Sequence, residues 1–164
     1  FPTRRSSDLA GWSTTGNTGT TPGTNFIGTT DAKDLKIKVN NTVAGSIETS
    51  GNIFLGLNAG IVNTGANNVG IGGNTLTNNT TGAQNTAIGK FSMEASTTGS
   101  NNTAVGEEAL QNITTGSGNT AIGYKSMELQ TSTSDNTTNI CSCWSDDGQK
   151  AVDWCRFSFL NSDV

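Results

Sequence analysis

The chain has 164 residues and a formal net charge of −4, enough for one ordinary domain and without the basic clusters that would suit nucleic acid. Leu, Ile, Val and Phe make up fewer than one residue in five, while Gly, Thr and Asn supply two fifths, so a conventional packed core stands at its lower limit. Histidine is absent, which removes Ser-His-Asp and Cys-His catalysis and every His-ligated metal site, and no apolar run is long enough to span a membrane. The composition predicts a non-enzymatic chain without a cofactor.

Residues 1–9, Phe-Pro-Thr-Arg-Arg-Ser-Ser-Asp-Leu, back-translate to the end of a short-read sequencing adapter and are read as foreign to the fold, with the native chain starting upstream of Ala10. Residues 10–50 form an adaptor or cap. Trp12 and Thr/Gly-rich text lead to Asn25-Phe26-Ile27-Gly28. Leu35, Ile37 and Val39 then alternate with Lys36 and Lys38, the pattern of a half-exposed strand. Asn40-Asn41 predicts a turn, and Val43 to Ile47 a returning strand.

Residues 51–137 are a repeat. Asn85-Thr86-Ala87-Ile88-Gly89 recurs as Asn102-Thr103-Ala104-Val105-Gly106 and as Asn119-Thr120-Ala121-Ile122-Gly123, each step being 17 residues. One step earlier stands Asn68-Val69-Gly70-Ile71-Gly72, and 16 residues before that a degenerate copy, Asn52-Ile53-Phe54-Leu55-Gly56. The turn Thr-Thr-Gly keeps the same register and places Gly82, Gly99 and Gly116 where a positive φ would be available. Leu76, Met93, Leu110 and Met127 form a third column. A unit this short cannot bury its own apolar face, so copies must stack. Alternation within Asn-Thr-Ala-Ile-Gly predicts a strand, and the whole period predicts one coil of an all-β parallel β-solenoid of about five coils.

Gly72, Gly89, Gly106 and Gly123 are the expected corners. About two large apolar side chains per coil are offered to the core: Ile88 with Met93, Val105 with Leu110, and Ile122 with Met127. So thin a core predicts further burial between copies of the chain. In-register stacking would also set Lys90 above Glu107 and Glu108 above Lys125. The Asn and Thr columns are read as hydrogen-bonding ladders. Glu94, Glu107, Glu108 and Glu128 lie in polar text and are read as a solvated face rather than a glycosidase pair.

Residues 138–164 break composition again, holding Cys141, Cys143 and Cys155 with Trp144 and Trp154. The cysteine spacing does not fit a metal or redox motif. Reading the permitted codons one base later gives small and aliphatic residues, so this segment is read as a frameshifted tail.

The Asn-Thr-Ala-Ile/Val-Gly, Ser/Ala-Met/Leu and Thr-Thr-Gly columns resemble the 17-residue repeats of bacterial surface and phage tail-fibre proteins. More distantly they are similar to the head repeats of trimeric autotransporter adhesins. The resemblance covers about residues 10–137. It implies a left-handed β-roll, a fibrous homotrimer, and a place at the bacterial cell surface or, alternatively, in a phage virion tail. It further implies a stalk or head segment acting in adhesion, with a surface glycan or host-cell receptor as the other partner. Two alternatives stay open: the scaffold of a carbohydrate-active tail spike, and a pure structural spacer.

Overall fold

The computed structural model describes residues 27–132 and the short strand at 139–140. The readings made for residues 1–9, for Trp12 and for the cysteine-bearing segment 141–164 lie outside the described residues. The chain divides into two units, residues 1–32 and 33–164. Of the first, residues 27–32 are described: an exposed run of bends in which the Thr29 hydroxyl donates to the Asp31 carbonyl at 3.3 Å.

The second unit is a β-solenoid introduced by a hairpin. Strands β1 (Leu35–Val39) and β2 (Thr42–Ile47) are joined through Asn40 and Asn41, both with φ near +50° to +60°, the conformation that asparagine tolerates best after glycine. Then come β3 (Ile53–Leu55), β4 (Val69–Ile71), β5 (Thr86–Ile88), β6 (Thr103–Val105), β7 (Thr120–Ile122) and β8 (Asn139–Ile140). All eight lie in one sheet in chain order, antiparallel from β1 to β3 and parallel from β3 to β8. Ile53 pairs with Val69 at a step of 16, Thr86 and Thr103 follow at 17, and β7 meets β8 at 18. The shorter first step has a local cause. Thr64 Oγ1 bonds the Thr80 carbonyl 16 residues on, whereas a Cβ on Gly65 would meet the Gly82 carbonyl 17 residues on, so the missing residue falls inside the Thr-Thr-Gly turn.

The interior differs from the two-residue core expected of each coil. Leu76, Met93, Leu110 and Ile113 are fully buried and Phe54 nearly so, with Met127 half-buried against them. Opposite them stand Ala87, Ala104 and Ala121, because a strand three residues long points one side chain inward and that residue is the alanine. Ile88, Val105 and Ile122 therefore point outward, which corrects their assignment to the core. In the coils of Leu76 and Met93 the space across the coil admits one large apolar side chain beside the small strand residue, and the coil of Leu110 adds a second, Ile113.

That large side chain sits on a strained backbone. Leu76, Met93, Leu110 and Met127 have φ of 49°, 50°, 50° and 53°. Left-handed geometry costs a non-glycine residue about 1–2 kcal/mol, and full burial of a Leu or Met side chain returns about 1.5–3 kcal/mol. The strain offsets part of the gain from burial, and the polar ladders between coils add to the cohesion.

The Asn column supplies the most regular ladder. Asn52, Asn68, Asn85, Asn102 and Asn119 are buried to 1% exposure or less. Their Nδ2 groups donate to the carbonyls of Gly65, Gly82, Gly99 and Gly116 at 2.8–2.9 Å for the first four members. Each Oδ1 accepts from the backbone N–H of the next asparagine at 2.7–3.0 Å. Thr80, Thr97 and Thr114 repeat the device at the turn, each hydroxyl donating to the threonine carbonyl one coil on. Buried amide groups without partners would each cost several times what a made hydrogen bond contributes, so these columns are obligatory.

The two glycine columns have different causes. Gly72, Gly89, Gly106 and Gly123 have φ of 125° to 137°, and a Cβ on the first three would lie 2.3–2.8 Å from the backbone of the next coil. Gly82, Gly99 and Gly116, expected to need positive φ, do not have it. Gly82 and Gly99 are required for space alone, since a Cβ on either would stand 2.3 Å from the carbonyl oxygen of the glycine above.

Candidate interaction surface

Because alternation sends isoleucine outward, the sheet presents an apolar row. Ile37, Gly45, Leu55, Ile71, Ile88, Val105 and Ile122 are consecutive register partners from β1 to β7. A parallel row starts with Leu35, Ile47, Ile53 and Val69 and continues as Thr86, Thr103 and Thr120. Ile71, Ile88 and Ile122 are 38%, 36% and 38% exposed, and Ile47, Ile53 and Leu55 at the hairpin end are more exposed still. The face carries no charged residue in either row. At about 4.8 Å per strand the first row is about 29 Å long, an apolar strip that makes this face the candidate interaction surface.

The opposite arrangement governs the edge of the sheet. β1 carries Lys36 and Lys38, and its register with β2 shifts between Ile37 and Lys38. Lysines and an irregular register are the usual protection of an edge strand against pairing with another chain.

The charged residues fall into two clusters. At the hairpin, Lys36 Nζ lies 2.9 Å from Glu48 Oε1 and 3.3 Å from Asp34 Oδ2. Thr49 N–H donates to Asp34 at 3.0 Å, which with Lys36 holds that carboxyl below its ordinary value despite some desolvation. Burial pushes Glu48 up, but hydrogen bonds from Asn52, Lys36 and Ser46 outweigh it and leave Glu48 lowered. Desolvation likewise opposes Lys36, and its two carboxylate partners raise it overall. These three side chains line a groove of about 490 Å³ between the hairpin and the turn Gly56–Asn63, together with Val43, Asn58 and Ile61.

On the coils, Lys125 Nζ pairs with Glu108 at 2.8 Å, as the register predicts, and with Glu128 at 3.6 Å. The expected partner pair is not formed: among the described residues no ion pair joins Lys90 to Glu107, and Lys90 Nζ lies 4.4 Å over the Phe91 ring. Glu94 accepts from Gln111 Nε2 at 2.8 Å. Among the described residues no group of three or more His, Cys, Asp or Glu side chains is placed to hold a metal ion, and no helix is long and apolar enough to cross a membrane.

The outward row was legible as a column of Ile and Val in the repeat. Its orientation follows from the alanine between Thr and Ile, because a small residue at the centre of a three-residue strand marks the side facing a narrow interior. No protein-family model, no characterised protein and no solved structure matches the chain.

Proposed function

We propose that this chain is a non-enzymatic stalk or head segment of an extracellular homotrimeric fibre, acting in adhesion or surface recognition. The observation that carries the reading is the charge-free apolar row from Ile37 to Ile122 on the strand face. A core of one or two large side chains per coil gives a second reason to bury that row against another copy. The number three, the cell-surface or virion location and the glycan or receptor partner come from the repeat resemblance.

The spike-scaffold alternative needs a carboxyl group held protonated to serve as an acid. Asp34 and Glu48, the two acids in the groove, are instead both lowered by Lys36 and their hydrogen bonds. Chemical crosslinking of the full chain tests the assembly: trimers are expected, and monomer alone would contradict the reading. Binding of the same material to a glycan array or to cells separates a recognition segment from a spacer, which would bind nothing.

A further inference from the structure

The turn of the first coil exposes three aliphatic residues within six positions. Leu57, Ile61 and Val62 are 54%, 64% and 49% exposed. In coil register, the Leu57 column continues as Gly73, Lys90, Glu107 and Tyr124, and the Ile61 column as Thr77, Glu94, Gln111 and Glu128. The Val62 column runs through Asn78, Ala95 and Asn112 to Leu129, so exposed apolar side chains are absent from the turns of the next three coils and return only as Tyr124 and Leu129. The first coil thus exposes hydrophobic surface on two sides, Ile53 and Leu55 on the strand face and Leu57, Ile61 and Val62 on the turn.

We propose that the 57–62 turn is a second self-association surface, receiving the Ile53–Leu55 end of the strand face of a neighbouring copy. The inference rests on the cyclic assembly proposed above and names the surfaces that close it. Three observations support a copy of this chain as the occupant. A cyclic interface joins two different patches of each protomer, whereas a two-fold interface joins one patch to itself, and two patches are present. The strand-face row, about 29 Å long and two side chains wide, offers on the order of 350 Å², well short of the roughly 800 Å² per partner of a specific interface. Finally, both patches are most apolar at the same level. Exposure on the strand face is higher at Ile53 and Leu55, 44% and 50%, than at Ile71 and Ile88, and copies arranged in parallel around an axis along the solenoid meet at equal heights.

Disulfide trapping in the full chain tests this, in a background where Cys141, Cys143 and Cys155 are replaced by serine. Leu55→Cys and Ile61→Cys are made singly and together, oxidised mildly, and followed by non-reducing gel and light scattering. The double variant is expected to give covalent rings, with at least tenfold more between-chain disulfide than either single variant. Trimers by light scattering without that disulfide, or Ile61→Cys linking to itself, would overturn the pairing while leaving the trimer intact. A monomeric mass in the serine background would instead overturn the assembly on which the pairing rests.

Discussion

The first coil and the coils that follow share the same ladders and invert the same core. In the regular coils a methyl group from the strand faces a large side chain from the turn, Ala87 with Met93 and Ala104 with Leu110. In the first coil the strand supplies Phe54 and the turn supplies Gly60, where an added Cβ would stand 2.4 Å from the phenyl ring. The next coil adjusts too: Gly70 takes the alanine position, and a Cβ there would lie 2.8 Å from Phe54 Cδ1. The Asn ladder passes through this exchange without a break, from Asn52 to Asn68 to Asn85. The Asn ladder is kept in every coil and the apolar positions only as a summed volume, while other buried polar columns do change, Ser96 giving way to Ile113 and Ser92 to Ala109 one coil on.

That contrast can be broken by swapping volumes. Phe54→Ala alone is expected to cost about 3–5 kcal/mol by opening a cavity. Gly60→Leu alone costs about 3 kcal/mol by overpacking against the ring. Together they rebuild the regular pair, so the double variant is expected to recover much of the loss, with a coupling of about 2 kcal/mol by denaturant titration. Additive losses would show that the first coil is not an inverted copy of the others.

The Asn ladder shows no such exchange. Asn102→Ala removes the bonds that its side chain makes with the Asn119 N–H and the Gly116 carbonyl, at an expected cost of about 2 kcal/mol that no neighbouring apolar substitution repairs. Gly70→Ala is expected to cost about 1–2 kcal/mol next to Phe54 and close to nothing when Phe54 is already alanine.

Acid separates the two regions differently. Asp34 and Glu48 have lowered values in the folded hairpin, so their contribution is complete above their ordinary values of 3.8 and 4.5 and is lost as pH falls through the folded ones. Hairpin amide resonances are expected to weaken below about pH 4 before those of coils three and four, where the buried ladders are uncharged. The smallest effect is expected at Lys125→Ala, with no resolvable shift of the unfolding midpoint, because the lysine of its pair with Glu108 stands in solvent.

Much of this was legible in the sequence. The period fixed the coils, the Lys/aliphatic alternation fixed both hairpin strands, and the Asn and Thr columns announced their ladders. Orientation was harder to read. Ile88 and Met93 look alike as large apolar residues, and only the narrow interior decides that methionine enters and isoleucine leaves. The strain at Met93 and Leu110 was also hidden, since nothing in a side chain of that type signals φ near 50°. The Phe54–Gly60 exchange was visible as an irregular copy but not as a compensation, because the two residues meet only once the coil closes. The turn glycines show the opposite error: Gly82 and Gly99 suggested backbone freedom and answer instead to the carbonyl above them.

The most direct test of the central claim is the mass of the full chain in solution by light scattering, beside that of the Ile88→Asp variant. The strand face is expected to hold copies together, giving about three times the 16.9 kDa of one chain and a shift toward a single chain when aspartate enters the row. A wild-type mass of one chain at high protein concentration, or an Ile88→Asp variant that assembles as well as the parent, would contradict it.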